Sequence, residues 1–258
     1  MNFFLFKEYI KYFHLQTDEH SLHSPFFYNF YLKLIKSNQK HLDWSSIEVK
    51  RQELLNNSQE IEIFDLGAGS KVQNSSKRRI SSIAKHSLSS SKFSQFLFQL
   101  IQFFDFQQII ELGTSLGINT SYLASANNQS IVDSFEADPN ALKIAKYVNQ
   151  NFENINFHEG NIDNTLPELL NNLTEIDLVY ADANHTYEAT TRYFNLIAPK
   201  LYAASIYILD DIHWSSGMNK AWNELKKHDM VSASIDLFDA GLLFFNPELN
   251  QQHYILKF

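Results

Sequence analysis

A doubly wound α/β fold is what this chain predicts, and three observations carry the prediction. The stretch QIIELGTSLG at 108 to 117 is a short β-branched run that ends on Glu111 and turns through Gly113 and Gly117 into a segment of helical spacing. Apolar strand-like runs and helical runs then alternate, and Glu136, Asp182, Asp210 and Asp211 stand at the ends of such runs. Near the C-terminus VSASIDLF, a DAG turn and LLFFN read as an antiparallel hairpin in place of another crossover.

Residues 3 to 58 are expected to be helical, because aromatic and leucine positions recur at three- and four-residue intervals in FFLFKEYIKYFHL and FFYNFYLKLI. Ser24 followed by Pro25 reads as the N-cap and first-turn pair of the second helix. His20 and His23 lie just outside it, and with no third ligand recognisable nearby a structural or substrate-lining role is expected ahead of a metal. IEIFDLGAGS at 61 to 70 looks like a second strand and glycine turn, but the acid after Asp65 is Asp105, 40 residues on, with no second apolar strand between. Residues 61 to 92 therefore read as an accessory loop and helix. Gly67, Gly69 and Ser70 permit a tight turn there, one that can lie over the active site.

In the core, NTSYLASA has helical spacing and leads to IVDSFEADP, a second strand whose Glu136 lies 25 residues after Glu111. A strand, glycine turn, helix, strand and terminal acid make one half of a doubly wound sheet, with a carboxylate placed to bind ribose hydroxyls. An ordinary strand-turn-helix connection with acids at its strand ends is the competing reading. ELGTSLG lacks the third glycine of GxGxxG, which serves close helix packing under a pyrophosphate, so a ligand without a pyrophosphate fits better. Pro139 opens a helix with Leu142, Ala145 and Val148 on one face, and 154 to 157 form a third strand ending near Gly160 and Asn161. TLPELLNNL follows as a helix, EIDLVYADANHTYEA ends a strand at Asp182, and ASIYILDDIHW ends the next at Asp210 and Asp211. If those two strands are parallel neighbours, three carboxylates converge, an oxygen set that suits Mg²⁺ or a similar hard cation. Helix capping by Asp182 and solvent-facing acids are the alternative. HYILKF is read as an added edge strand.

Composition bounds the reading. A chain of 258 residues with 44% hydrophobic content can bury a full core. Lys7, Glu8 and Lys11 interrupt the N-terminal apolar run before it reaches signal-peptide length, and no run is long enough to span a membrane, so a cytoplasmic protein is expected. With no cysteine there are no disulfides, zinc-thiolate sites or thiol nucleophiles. A net charge of -8 argues against a large phosphate-backbone footprint. Yet from Leu66 to Phe104 there is no acid, while Lys71, Lys77, Arg78, Arg79, Lys85 and Lys92 fall inside; the window is about +6 and the remainder about -14. Such a block is either a solvated face or a basic lid that attracts an anionic substrate group.

ELGTSLG followed by FEADP resembles motif I and the next acidic motif of class I S-adenosylmethionine-dependent methyltransferases, over about Ile109 to Phe245. The resemblance implies a Rossmann-like, doubly wound, seven-stranded, mostly parallel sheet with the antiparallel C-terminal hairpin on residues 105–258. Residues 1–104 are then a helical N-terminal cap with the basic lid element. By the same resemblance Glu111 and the turn residues Gly113, Thr114, Ser115 and Gly117 hold the methionine end of S-adenosylmethionine, Glu136 with Ala137 the ribose, and Gly160 and Asn161 the adenine side. DANHTYE and LDDIHW sharpen the likeness to the catechol O-methyltransferase-like branch, bacterial members included. There the positions of Asp182, Asp210 and Asp211 bind a divalent metal, with Asp182 also counted among the cofactor and catalytic contacts. The third ligand is usually Asn, so Asp211 adds a charge and puts the metal in doubt. His185, where the animal enzymes carry a lysine, is the implied base, although a strand-end histidine can also be merely hydrogen-bonded. Trp214 and Met218 are read as a substrate wall or as core.

The expected activity is a metal-assisted O-methyl transfer from S-adenosylmethionine to a small hydroxylated substrate, with an anionic one favoured by the basic window. The rivals are methylation of a hydroxylated tRNA base, a cofactor-binding regulatory protein without turnover, and a nicotinamide oxidoreductase. No membrane partner is expected, and a homodimer is left open.

Overall fold

The computed structural model describes residues 3–36, 43–64 and 75–258. Its contacts divide the chain into two units, Met1–Ser37 with Leu173–Phe258, and Asn38–Asn172. In the first unit α1 (Phe3–Leu15) is followed by α2 (Pro25–Phe30), which continues as a π-helical turn, Tyr31–Ile35. The start of α2 rests on the fixed φ of Pro25, because the Ser24 hydroxyl makes no capping bond. These helices are held by the far end of the chain. The Tyr12 hydroxyl donates to the Leu256 carbonyl at 2.6 Å, and the Phe27 ring lies 5.2 Å from Phe244 and 4.7 Å from Tyr254.

The unit Asn38–Asn172 begins with α3 (Ser45–Asn56), the antiparallel hairpin β1 (Glu60–Phe64) and β2 (Ser75–Arg79), then α4 (Ile80–Ser87) and α5 (Ser91–Phe104). β2 is a strand where only a loop and a helix were expected. It is wholly polar, and pairing sets Arg79 opposite Glu60 and Lys77 opposite Glu62, so opposite charges take the place of apolar alternation. In α5, the Ser90 hydroxyl accepts the Phe93 N–H, and Phe93, Phe96, Leu97, Leu100 and Ile101 recur at helical period on the buried face. Each such side chain stabilises the core by about 1.5–3 kcal/mol. Asp105 ends the helix in the left-handed region. α3 is tied to α5 by buried Arg51, whose guanidinium donates to Glu48 at 2.9 Å, to the Ser89 carbonyl at 2.6 Å and to the Ser94 hydroxyl at 3.0 Å.

Three parallel strands follow in the order β3-β4-β5: β3 (Gln108–Leu112), β4 (Ile131–Glu136) and β5 (Ile155–Glu159). They alternate with α6 (Ile118–Ala126), α7 (Pro139–Val148) and α8 (Ile162–Leu170). The register pairs Glu111 with Ser134 and Glu136 with Glu159, which brings the strand ends to one level.

The first unit resumes with β6 (Leu178–Ala181), α9 (Tyr187–Ile197), β7 (Ile206–Asp210), α10 (Ser216–Leu225), β8 (Ala233–Asp236), β9 (Ala240–Phe244) and β10 (Gln252–Ile255). The strand order is β10-β8-β9-β7-β6. β6 and β7 are parallel, the hairpin β8-β9 is antiparallel as its short turn dictates, and β10 runs parallel to β8. β10 is the added edge strand expected from HYILKF. The doubly wound α/β class and the antiparallel end are as the sequence predicts. No helix among the described residues is long and apolar enough to cross a membrane.

Candidate active site

β3 delivers Glu111 into the base of the glycine turn, fully buried. Its Oε2 accepts the hydroxyls of Thr120 at 2.6 Å and Ser134 at 2.5 Å, and the Thr114 hydroxyl lies 2.6 Å from that of Ser134. Its Oε1 is buried with no hydrogen-bond partner among the described residues. Burial pushes this carboxyl up to about 7, the two hydroxyls pulling it down and the charge of Glu136 adding to the rise. The turn itself is left-handed at Ser115, φ 49°, and at Gly117, φ 82°. A Cβ on Gly117 would come within 2.9 Å of the Ala145 backbone, so glycine is what lets α6 start against α7.

The amides of this turn are largely used inside it. Gly113 and Thr114 both donate to the Phe135 carbonyl at 3.0 Å, Gly117 donates to the Thr114 carbonyl at 2.9 Å, and Ser115 donates to Glu136 Oε2 at 2.8 Å. Glu136 Oε1 accepts the Asp138 N–H at 2.9 Å. Each oxygen keeps a further lone pair for a hydroxyl donor. Burial raises the Glu136 carboxyl, and the backbone amides of Asp138 and Ser115 oppose the rise. Ala137 links Glu136 to Asp138, whose carboxylate caps α7 through the Ala141 N–H at 2.7 Å and accepts the Phe64 N–H at 2.6 Å. Gly160 donates to the Glu136 carbonyl at 2.9 Å, and the Asn161 side chain caps α8. Within this unit every residue expected at the cofactor site therefore meets at the carboxyl ends of β3, β4 and β5, where open α/β sheets bind ligands. An unpartnered buried carboxylate oxygen, a glycine cradle and a second carboxylate with spare lone pairs fit an amino-acid end and a ribose.

In the other unit, Asp182 follows β6 and Asp210 ends β7. The Tyr180 hydroxyl stands between them, 3.1 Å from Asp182 Oδ2 and 2.7 Å from Asp210 Oδ2. His185 lies between Asp182, 3.4 Å from its Nε2, and Asp211, 3.7 Å from its Nδ1. Asp182 does not cap α9; the Thr186 hydroxyl does. Burial pushes Asp210 up to about 7, with Asp211 adding to it. Burial holds His185 below its ordinary range, Asp211 opposing, which favours the neutral imidazole. Asn184, φ 52°, and Asp211, φ 55°, are both left-handed, as Ser115 is, and such strain concentrates at functional sites.

These acids do not fit a divalent cation as they are placed. Among the described residues no three His, Cys, Asp or Glu side chains are grouped to hold one. The reason lies in the partners: a phenol joins Asp182 to Asp210, and an imidazole separates Asp182 from Asp211.

Residues 110–212 match a family model described as a methyltransferase domain. The fold likeness extends further along the chain. A structure of a caffeoyl-CoA O-methyltransferase, so named as putative, from Staphylococcus aureus superposes with a TM-score of 0.60 and 18% identity, covering 81% of this chain and 95% of that one. An O-methyltransferase from Bacillus cereus in complex with SAH gives 0.55 and 19%, over 61% and 81%. The O-methyltransferase TomG from Streptomyces achromogenes in complex with SAM gives 0.56 and 17%, over 62% and 82%. No curated protein matches the sequence.

Two residues of the site escape a reading of motifs. Tyr180 could have been found by alternation, since it shares a strand face with Asp182. Asp239 carries no such signal; burial and the charge of Asp211 raise its carboxyl. A buried His213, 2.8 Å from Asp236 Oδ2 and 2.8 Å from the Asn219 amide nitrogen, braces the loop after Asp211. Met218 is core, 1% exposed, and receives the Thr190 hydroxyl on its sulfur, so it is no substrate wall; Trp214 is 58% exposed. His20 has Glu19 at 3.9 Å as an ion-pair neighbour. The DLGAGS turn at 65 to 70 and Lys71 lie outside the described residues.

Proposed function

We infer that this chain is an S-adenosylmethionine-dependent O-methyltransferase acting on a small hydroxylated acceptor. The observation that carries the reading is His185, a half-buried imidazole set between Asp182 and Asp211, with burial favouring its neutral form. A hydroxyl acceptor must lose a proton as its oxygen is methylated, and a neutral histidine is suited to receive it. Glu111 and Glu136 would hold the cofactor, which when bound supplies a methyl group already activated on a sulfonium. His185 takes the proton from the acceptor hydroxyl, and Asp182 and Asp211 stabilise the imidazolium that results. Positioning supplies much of the remainder, of order 7–11 kcal/mol in well-oriented systems. The metal assistance implied by the resemblance is left out, because the donor set does not fit it. The exposed Lys77, Arg78 and Arg79 of β2 support an acceptor that carries negative charge.

Calorimetry with S-adenosylhomocysteine tests the reading. The wild type is expected to bind, and Glu136→Ala to bind about tenfold or more weakly, as loss of a hydrogen-bonded carboxylate implies. A wild type that binds NAD and not S-adenosylhomocysteine would sink it.

A further inference from the structure

Tyr180 stands two residues before Asp182, so strand alternation puts both side chains on one face of β6. The parallel register pairs Tyr180 with Ile208, which carries Asp210 to the level of Asp182 on the same face. The phenol is fully buried, and its hydroxyl meets one oxygen of each acid, at 2.7 and 3.1 Å. Two carboxylates drawn to one point repel unless a cation or a hydrogen donor stands between them. Where such acids bind a metal, the metal is that group. Here a protein hydroxyl fills the place. The other oxygen of Asp182, and Asp211, face His185 and do not share a centre with Asp210.

We propose that Tyr180 is a positioning residue that holds Asp182 and Asp210 together in place of a divalent cation, so that this methyltransferase works with no bound metal. The proposal rests on the O-methyltransferase reading above. It assigns to Tyr180 the task of fixing Asp182 where it faces His185. Removing the hydroxyl leaves two close carboxylates without a donor between them, and a cation becomes the group that can compensate.

The test is Mn²⁺ binding, read by electron paramagnetic resonance with S-adenosylhomocysteine present. Wild type is expected to show no saturable site up to about 1 mM Mn²⁺, a range that includes weak oxygen-ligand sites. Tyr180→Phe is expected to gain one, about tenfold or more tighter than any wild-type binding, and Asp210→Asn in that background to remove it. A loss of stability alone would not produce that gain. One Mn²⁺ per wild-type chain, abolished by Asp210→Asn, overturns the proposal. So does a folded Tyr180→Phe protein that binds Mn²⁺ no better than wild type; if that variant does not fold, Tyr180→Leu carries the same readout. Calorimetry with S-adenosylhomocysteine on the same wild-type sample reports separately on the reading beneath: no binding there fails that reading whatever the metal result.

Discussion

Glu111 and Glu136 rest against neutral donors, whereas Asp182 and Asp211 rest against an imidazole. In the first region hydroxyls and backbone amides bind carboxylates that burial has raised. In the second, the partner of the acids can itself gain and lose a proton near neutral pH. Both regions stand at the carboxyl ends of parallel strands, yet under the proposed function one receives the cofactor and the other moves a proton. The difference lies in the partner supplied, not in the acid.

The largest effect should come from the proton-moving side. His185→Gln is expected to lower methyl transfer by about 10²–10⁴-fold while leaving S-adenosylhomocysteine affinity unchanged. Transfer of labelled methyl to acceptors in a cell extract checks it, and an unaltered rate removes His185 from the chemistry. On the ligand side the sharpest break is Gly117→Ala. A left-handed φ combined with a clash against the α7 backbone should cost about 3 kcal/mol, measured by urea unfolding, and should abolish cofactor binding. A smaller shift in the urea midpoint, with binding intact, would mean that the turn relaxes around a methyl group.

The smallest effect separates the two regions by pH. The Glu111 carboxyl binds a proton more tightly in the folded chain, at about 7, than at its ordinary 4.5. Its protonation therefore stabilises the fold fully below pH 4.5, and this contribution is lost as pH rises through about 7. Glu111→Gln keeps a neutral group there at every pH, so the melting temperature of the variant should fall less between pH 5 and pH 7 than that of the wild type. Parallel curves for the two proteins would show that Glu111 is not the proton-binding group.

The glycine-turn half was legible because its signals are local. Gly117 needs a left-handed φ, Pro139 and Asp138 start α7, and Glu111 follows directly from a β-branched run; each is readable within a few residues. The acid cluster was legible only as a set of residue types. Asp182, Asp210 and Asp211 stand where the strand ends predict, but their geometry depends on Tyr180 and His185, and that arrangement replaces the expected cation site. β2 went unseen because its support is cross-strand charge, not hydrophobic period. The N-terminal helices gave no hint of their partners, since Tyr12 and Phe27 pack on residues more than 200 positions away.

By itself the sequence determined the α/β class, the glycine turn, the order of strand-end acids and the C-terminal hairpin. These follow from periodicity and turn chemistry, which act through backbone preferences over a few residues. Tertiary structure decided which donor each acid would meet. Tyr180 and Asp210 are 30 residues apart, and only the register of β6 against β7 brings hydroxyl and carboxylate to 2.7 Å. A register is set by burial of whole strand faces, and no single motif contains it.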